Sequence, residues 1–307
     1  MNDRLTGLIA ATHTPFDANG ELNLSVVEKQ AEHLVRHGVN GVFIGGTTGE
    51  CHSLSVEERL ALAKRWCEVV QGSGLRLVIH VGSNCIADAR MLAAQAQSLG
   101  APAIAAMPPS YYKPDCVDTL IACCRAIAEP APACAFYYYH IPSMTGVELS
   151  MPTFLDRAAE HVPGLAGMKF THADLAAYLK CLHVQKGRFD VLWGMDEYLL
   201  PAVALGAVGA VGSTYNLAAP LYQRMLTAFS RGDLMTARAE QLRSIQLVDL
   251  LDGYGFMAAA KATMAMLGVD VGPPRLPNPN LRPEQHQHLR AALEQLGFFD
   301  WVRSATS

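Results

Sequence analysis

Short apolar runs recur along the whole chain, each separated from the next by a helix-like segment, and no other feature constrains the fold as strongly. The runs are Gly7–Thr14, Gly41–Gly46, Leu75–Val81, Ala103–Met107, Cys134–Ile141, Leu165–Phe170, Val191–Met195 and Ala207–Ser213. Each carries apolar residues at consecutive positions, as a parallel strand buried on both faces does. Leu54–Val70 opens with Ser55-Val-Glu-Glu58, a capping box in which Ser55 and Glu58 satisfy each other's backbone N–H groups. Asp88–Leu99 stops at Gly100, and Asp174–Val184 stops before Gly187. Strand and helix alternating eight times predict an α/β fold, a parallel (β/α)₈ TIM barrel, over residues 1–231. Residues 232–307 show no strand pattern. There Asp233–Leu251, Gly255–Leu267 and Pro283–Leu296 read as helices, joined by the proline-rich connector Gly272–Asn280. This part is expected to be a C-terminal helical appendage packed on the barrel.

Composition removes several classes of function. Half of the 307 residues are hydrophobic and 17% are charged, which supports a large core and excludes a disordered chain. The formal net charge is -4 with no basic stripe, so nucleic acid is not an expected partner. No apolar run approaches the ~18–20 residues of a membrane span, so no membrane is expected either. The stretch Leu8–Ala11 near the start is too short for a signal peptide. None of the eight cysteines forms a C-x-x-C pair, so free thiols and a cytoplasmic location are expected. His286-x-His288 lies in a polar helical stretch and reads as solvated surface, so no metal is expected.

Barrel chemistry sits where strands end at their C-terminal side. Five runs end in polar groups: Gly45-Gly-Thr-Thr-Gly-Glu50, Tyr137-Tyr-Tyr-His-Ile-Pro142, Lys169-Phe-Thr171, Gly194-Met-Asp-Glu197 and Gly212-Ser-Thr-Tyr-Asn216. Of the seven lysines, Lys169 alone closes an apolar run. Burial lowers a lysine's pKa, and the free amine can then attack a ketone to form a Schiff base. The competing reading is a buried lysine paired with a carboxylate such as Glu50. Lys261, in Met257–Leu267, reads as a snorkelling lysine at a helix edge. Gly45–Gly49 brackets Thr47 and Thr48, whose hydroxyls with the exposed N–H groups can hold a carboxylate, although a plain tight turn has the same sequence. Tyr137 and Tyr139 share a strand face that Tyr138 opposes. A tyrosine at a strand end can move a proton or simply fill the core. Asp196 and Glu197 suit sugar hydroxyls, or the start of the helix-like Glu197–Leu205. Ala207–Ser213 is glycine-rich and can approach a phosphate or a carboxylate closely.

Gly46-Thr-Thr-Gly-Glu50, Tyr139-x-Ile-Pro142, Gly167-x-Lys169 and Gly212-Ser213 together resemble the class I pyruvate aldolases of the dihydrodipicolinate synthase and N-acetylneuraminate lyase family, from about Leu5 to Leu276. The resemblance implies a barrel with C-terminal helices, assembled as a homotetramer. It implies that Lys169 forms the Schiff base with pyruvate, that Thr47 and Thr48 hold the pyruvate carboxylate, and that Tyr139 transfers the proton. Tyr111 looks like the aromatic residue that reaches into a neighbouring subunit's site. Three features favour the lyase branch: Met144 where the synthase branch has an arginine, Gly194-Met-Asp196-Glu197, and Gly212-Ser213-Thr-Tyr-Asn216. Thr171 fits the position that contacts the sugar chain. The implied reaction is retro-aldol cleavage of a small-molecule 2-keto sugar acid, N-acetylneuraminate, with no cofactor beyond the lysine imine. A related aldolase or dehydratase on another 2-keto sugar acid, the synthase reaction, and a non-catalytic keto-acid sensor remain alternatives.

Overall fold

The computed structural model describes residues 4–303; Met1–Asp3 and Ser304–Ser307, which belong to the expected barrel and appendage spans, lie outside the described residues. All eight apolar runs form strands. In chain order the elements are β1 (Gly7–Ala11), α1 (Val27–Arg36), β2 (Gly41–Ile44), α2 (Val56–Val69), β3 (Arg76–His80), α3 (Ile86–Ser98), β4 (Ala103–Ala106), α4 (Val117–Ala128) and β5 (Ala135–His140). There follow α5 (Pro142–Thr145), α6 (Met151–Ala158), β6 (Leu165–Phe170), α7 (Leu175–His183), β7 (Asp190–Trp193), α8 (Leu199–Ala204), β8 (Gly209–Gly212) and α9 (Tyr215–Ser230). The chain ends with α10 (Leu234–Gly253), α11 (Phe256–Met266), α12 (Pro283–Leu296) and α13 (Phe298–Trp301). The strands close in sequence order, and every neighbouring pair, β1 with β8 included, is parallel. The chain is therefore a (β/α)₈ barrel followed by C-terminal helices.

Local signals fix several boundaries. The Ser55–Glu58 capping box forms as expected and opens α2. Asp174 caps α7, its carboxylate accepting the Ala177 N–H. Alternation along β5 sorts its tyrosines: Tyr137 and Tyr139 point into the barrel, and Tyr138 faces the helices. Tyr137 lies deep, where its hydroxyl donates to Asp190 at 2.9 Å. Tyr139 lies one inward position nearer the mouth. The interior cluster also holds Ile9, Phe43, Val78, Leu192 and Val211, so the barrel is a packed core with its chemistry above it.

The outer apolar layer runs without a break from the barrel helices into Ala258–Ala260 of α11, Leu289 and Leu293 of α12, and Phe298. The described residues include no helix long and apolar enough to cross a membrane. All eight cysteines are free. Among the described residues no His, Cys, Asp and Glu side chains cluster in threes as a metal site requires, and His286 and His288 are exposed on α12.

Candidate active site

Register places the two central residues. Tyr139 of β5 and Lys169 of β6 are direct partners in adjacent parallel strands, so both side chains point inward at the same height. Lys169 is 5% exposed, and its Nζ lies 4.2 Å from the centre of the Tyr139 ring and 4.8 Å from that of Phe43. No ion pair joins Lys169 to a carboxylate among the described residues. The competing reading, a Lys169–Glu50 pair, is not what forms.

Glu50 instead pairs with Lys261, Oε1 to Nζ at 2.7 Å, with both side chains buried. The expected snorkelling role for Lys261 is therefore corrected. Its helix α11 carries Ala258, Ala259, Ala260 and Ala262 around it, small residues that let the barrel close over every side. Lys261 also donates to the carbonyls of Thr14 (2.9 Å) and Pro273 (3.0 Å). Burial pulls its pKa down to about 8 against the opposing pull of Glu50.

The loop after β2 follows from these anchors. Gly45 adopts a left-handed φ of 61°, which a side chain would disfavour, and Glu50 does the same at φ 53°. Thr14 Oγ1 donates to the Gly49 carbonyl at 2.6 Å, and the Arg275 backbone N–H donates to Glu50 Oε2 at 2.8 Å. His80 at the end of β3 stands 2.8 Å from the Gly45 carbonyl through Nδ1, while its Nε2 accepts the Met107 N–H at 3.3 Å. Those partners assign the proton to Nδ1. Burial and the nearby Arg59 hold this ring well below the ordinary histidine range, hence neutral.

The loop delivers its two hydroxyls to different walls of the mouth. Thr47 Oγ1 meets the Tyr139 hydroxyl at 3.1 Å, and Thr48 Oγ1 meets Ser213 Oγ at 2.6 Å. Lys169, Tyr139, Thr47, Thr48 and Ser213 thus form one contiguous group. Opposite them lie the strand-seven residues. A Cβ on Gly194 would collide with Thr171 Oγ1, a buried hydroxyl with no protein partner. A Cβ on Gly212 would collide with Asp196 Oδ1, whose polar neighbour is the Tyr215 hydroxyl. The two glycines therefore make room for polar groups aimed at the mouth. Asp196 is fully enclosed, and burial raises its pKa against the opposing hydrogen bonds from Thr214. Glu197 is half-buried, and burial followed by the charges of Asp196, Asp252 and Asp249 raises its pKa as well. Asp196 and Glu197 open a single short helical turn before α8.

Tyr111 stands apart from this group. Its side chain is 78% exposed with its ring edge-on to Tyr112, and its backbone N–H is held by Asn84. Beside Thr47 a cleft of about 440 Å³ opens between the mouth and the appendage, bounded by Met107, Ser110, Met144, Phe256 and Met257. Met144 is 65% exposed on α5, and the Lys113 side chain lies over Gly146 just beyond that helix. Sequence reasoning missed Lys261, His80 and Thr214 as supports of the site. The signal for Lys261 was the run of alanines around it, which marks a helix buried on all sides.

The Dihydrodipicolinate synthetase family model matches residues 4–296. An N-acetylneuraminate lyase of Rattus norvegicus is 39% identical over 302 residues, covering 97% of this chain and 94% of that protein. The solved structure of Proteus mirabilis N-acetylneuraminate lyase is 42% identical, with a TM-score of 0.93 over 96% of this chain and 100% of that one. That of the Aliivibrio salmonicida N-acetylneuraminate lyase (sialic acid aldolase) is 40% identical, with a TM-score of 0.94 over 96% and 98% of the two chains.

Proposed function

The chain belongs to the dihydrodipicolinate synthetase family, and from that premise we propose that it is a Schiff-base aldolase cleaving N-acetylneuraminate to N-acetylmannosamine and pyruvate. One observation carries the reading: Lys169, enclosed at the barrel mouth without a carboxylate partner, lies against Tyr139, whose hydroxyl meets that of Thr47.

The amine of Lys169 attacks the C2 ketone of the open-chain sugar acid, and loss of water gives an imine that is protonated on nitrogen. Thr47 and Thr48 hold the substrate carboxylate, with backbone N–H groups of the same loop beside them. The C3–C4 bond breaks and its electron pair passes into the imine, giving an enamine on C3. Tyr139 relays the C4 hydroxyl proton, passing its own to the substrate carboxylate, as the aldehyde of N-acetylmannosamine forms. The enamine is protonated at C3, and water hydrolyses the resulting imine to pyruvate and free Lys169. The lysine is itself the electron sink, so the scheme uses no cofactor. Thr171, Gly194, Asp196, Glu197, Gly212 and Ser213 shape the wall that meets the sugar chain, and Met144 stands where the synthase branch has an arginine for a substrate carboxylate. The barrel, residues 1–231, carries these groups, and residues 232–307 brace it. The exposed Tyr111 fits a homotetramer in which it reaches a neighbour's site. The free thiols fit a cytoplasmic protein.

The test is borohydride reduction in the presence of pyruvate, followed by peptide mass mapping, alongside a lactate dehydrogenase-coupled assay on N-acetylneuraminate. Reduction should add mass to the peptide bearing Lys169, and Lys169→Ala should lose roughly 10³-fold or more in rate. Labelling at Lys261, or condensation of pyruvate with aspartate semialdehyde without cleavage of N-acetylneuraminate, overturns the reading.

A further inference from the structure

Helix α10 buries an unusual face. Its enclosed residues are Ala237, Glu240, Gln241, Ser244, Leu247 and Leu251, half of them polar. Buried polar groups need partners. Arg224 and Arg243 account for Glu240. Gln241 and Ser244 find theirs on the loop after β7. Gln241 Nε2 and Ser244 Oγ both approach the Asp196 carbonyl, at 3.3 and 3.2 Å, while Gln241 Oε1 accepts the Leu200 N–H at 2.7 Å.

The same helix reaches the Asp196 side chain by a second route. Ser244 Oγ lies 2.8 Å from the Tyr222 hydroxyl, and that hydroxyl lies 2.5 Å from Thr214 Oγ1. Thr214 Oγ1 and its backbone N–H both donate to Asp196 Oδ2, at 2.6 and 2.8 Å. Each hydroxyl has one proton, and a carboxylate only accepts. Thr214 spends its proton on Asp196, so Tyr222 must donate to Thr214. Ser244 in turn must donate to Tyr222, which leaves Gln241 Nε2 as the donor to the Asp196 carbonyl, and the proton order along this chain ends on Oδ2. With Oδ2 and the main-chain carbonyl both held, the free acceptor is Oδ1. It is buried over Gly212, makes no close hydrogen bond, and has the Tyr215 hydroxyl as its polar neighbour, which leaves it capacity to accept from a ligand.

We propose that Tyr222, Ser244 and Gln241 are positioning residues that fix the rotamer of Asp196, so that α10, remote from the reacting carbon, sets how tightly the sugar chain is held. The inference rests on the aldolase reading above, because it needs Asp196 to meet a sugar hydroxyl. None of the three touches Lys169 or Tyr139, so imine formation with pyruvate lies outside their influence.

The test is a double-mutant cycle between Tyr222→Phe and Asp196→Ala, read in two assays: N-acetylneuraminate cleavage and borohydride trapping of pyruvate. Tyr222→Phe keeps the buried ring and removes one hydroxyl. It should raise KM for N-acetylneuraminate by about 5–20-fold, with kcat within ~3-fold and half-saturation of pyruvate trapping within ~2-fold. In the Asp196→Ala background the same change should add less than ~2-fold, because it acts through the removed carboxylate. Ser244→Ala serves as the second variant and should move KM in the same direction should Tyr222→Phe fail to fold. Losses that multiply in the double mutant, or equal losses in both assays, overturn the proposal and leave the aldolase reading standing. Wild-type protein that traps pyruvate yet releases none from N-acetylneuraminate overturns both.

Discussion

Replacing Lys261 with methionine keeps the length of the side chain and removes its charge and its three donors. Three interactions go: the 2.7 Å pair with Glu50 and the bonds to the Thr14 and Pro273 carbonyls. Glu50 keeps only its Oε2 bond to the Arg275 N–H, with its side chain fully enclosed. Breaking one side of a buried pair costs about 3–5 kcal/mol, chiefly because the remaining charge has lost its partner. The effect is large beside a typical total stability of about 5–15 kcal/mol. Adding Glu50→Gln removes the stranded charge and should return about half of the loss, because a neutral amide is far cheaper to bury than a carboxylate. Denaturant titration followed by fluorescence of the buried Trp66 and Trp193 reads both variants against the wild type. A Lys261→Met variant within about 1 kcal/mol of the wild type, or two substitutions that simply add, would refute the buried pair's role.

Tyr139→Phe should lower kcat about 10²–10⁴-fold and disturb pyruvate trapping much less; near-normal turnover would make the hydroxyl a structural partner of Thr47. Asp196→Ala should cut kcat/KM for N-acetylneuraminate roughly 10–150-fold, the worth of a hydrogen bond to a charged acceptor, and leave pyruvate trapping nearly unchanged; equal loss in both would make Asp196 part of the mouth's framework. His13 is buried, and its pKa is lowered to about 3 by burial and then by Lys261, against the opposing pull of the Thr48 backbone. Below about pH 6.5 the unfolded chain takes a proton that the folded chain refuses, so stability falls as pH falls from 6.5 towards 3. Between pH 7.5 and 5 this amounts to about 2 kcal/mol, and His13→Leu should shrink the acid-induced drop in denaturation midpoint by that much; an unchanged drop would assign it to other buried histidines. Light scattering at assay concentration should give a tetramer, and a fully active monomer would remove Tyr111 from any neighbour's site.

The barrel was legible because its strands are buried on both faces, which writes an unbroken apolar run into the sequence at each of eight positions. Strand ends were legible for the same reason: Lys169 stands out only because Leu165–Met168 does not prepare for a charge. Alternation separated Tyr139 from Tyr138 before any coordinates. Long-range supports left no such local mark. Glu50 was weighed as a partner for Lys169 alone, because periodicity does not show that Lys261 approaches it from a helix beyond the barrel. His80 reads locally as the last residue of an apolar strand, and its role emerges only where the Gly45 carbonyl and the Met107 N–H converge on its ring. Thr214 lies in a motif that the sequence pointed to, but its bond to Asp196 depends on where β7 and β8 end relative to each other.

The brace on the Gly45–Glu50 loop bears on how the protein is made. Arg275 lies 225 positions beyond Glu50. A ribosome adding ~5–20 residues per second delivers that partner roughly 10–45 s after the loop itself emerges. Through that interval every strand can be made while Glu50 still lacks both Lys261 and the Arg275 N–H. A nascent chain halted after β8 carries Thr47, Tyr139 and Lys169 but neither Lys261 nor Arg275 to hold the Glu50 side chain. The Glu50 side chain is therefore seated late in synthesis, with the arrival of α11 and the connector behind it.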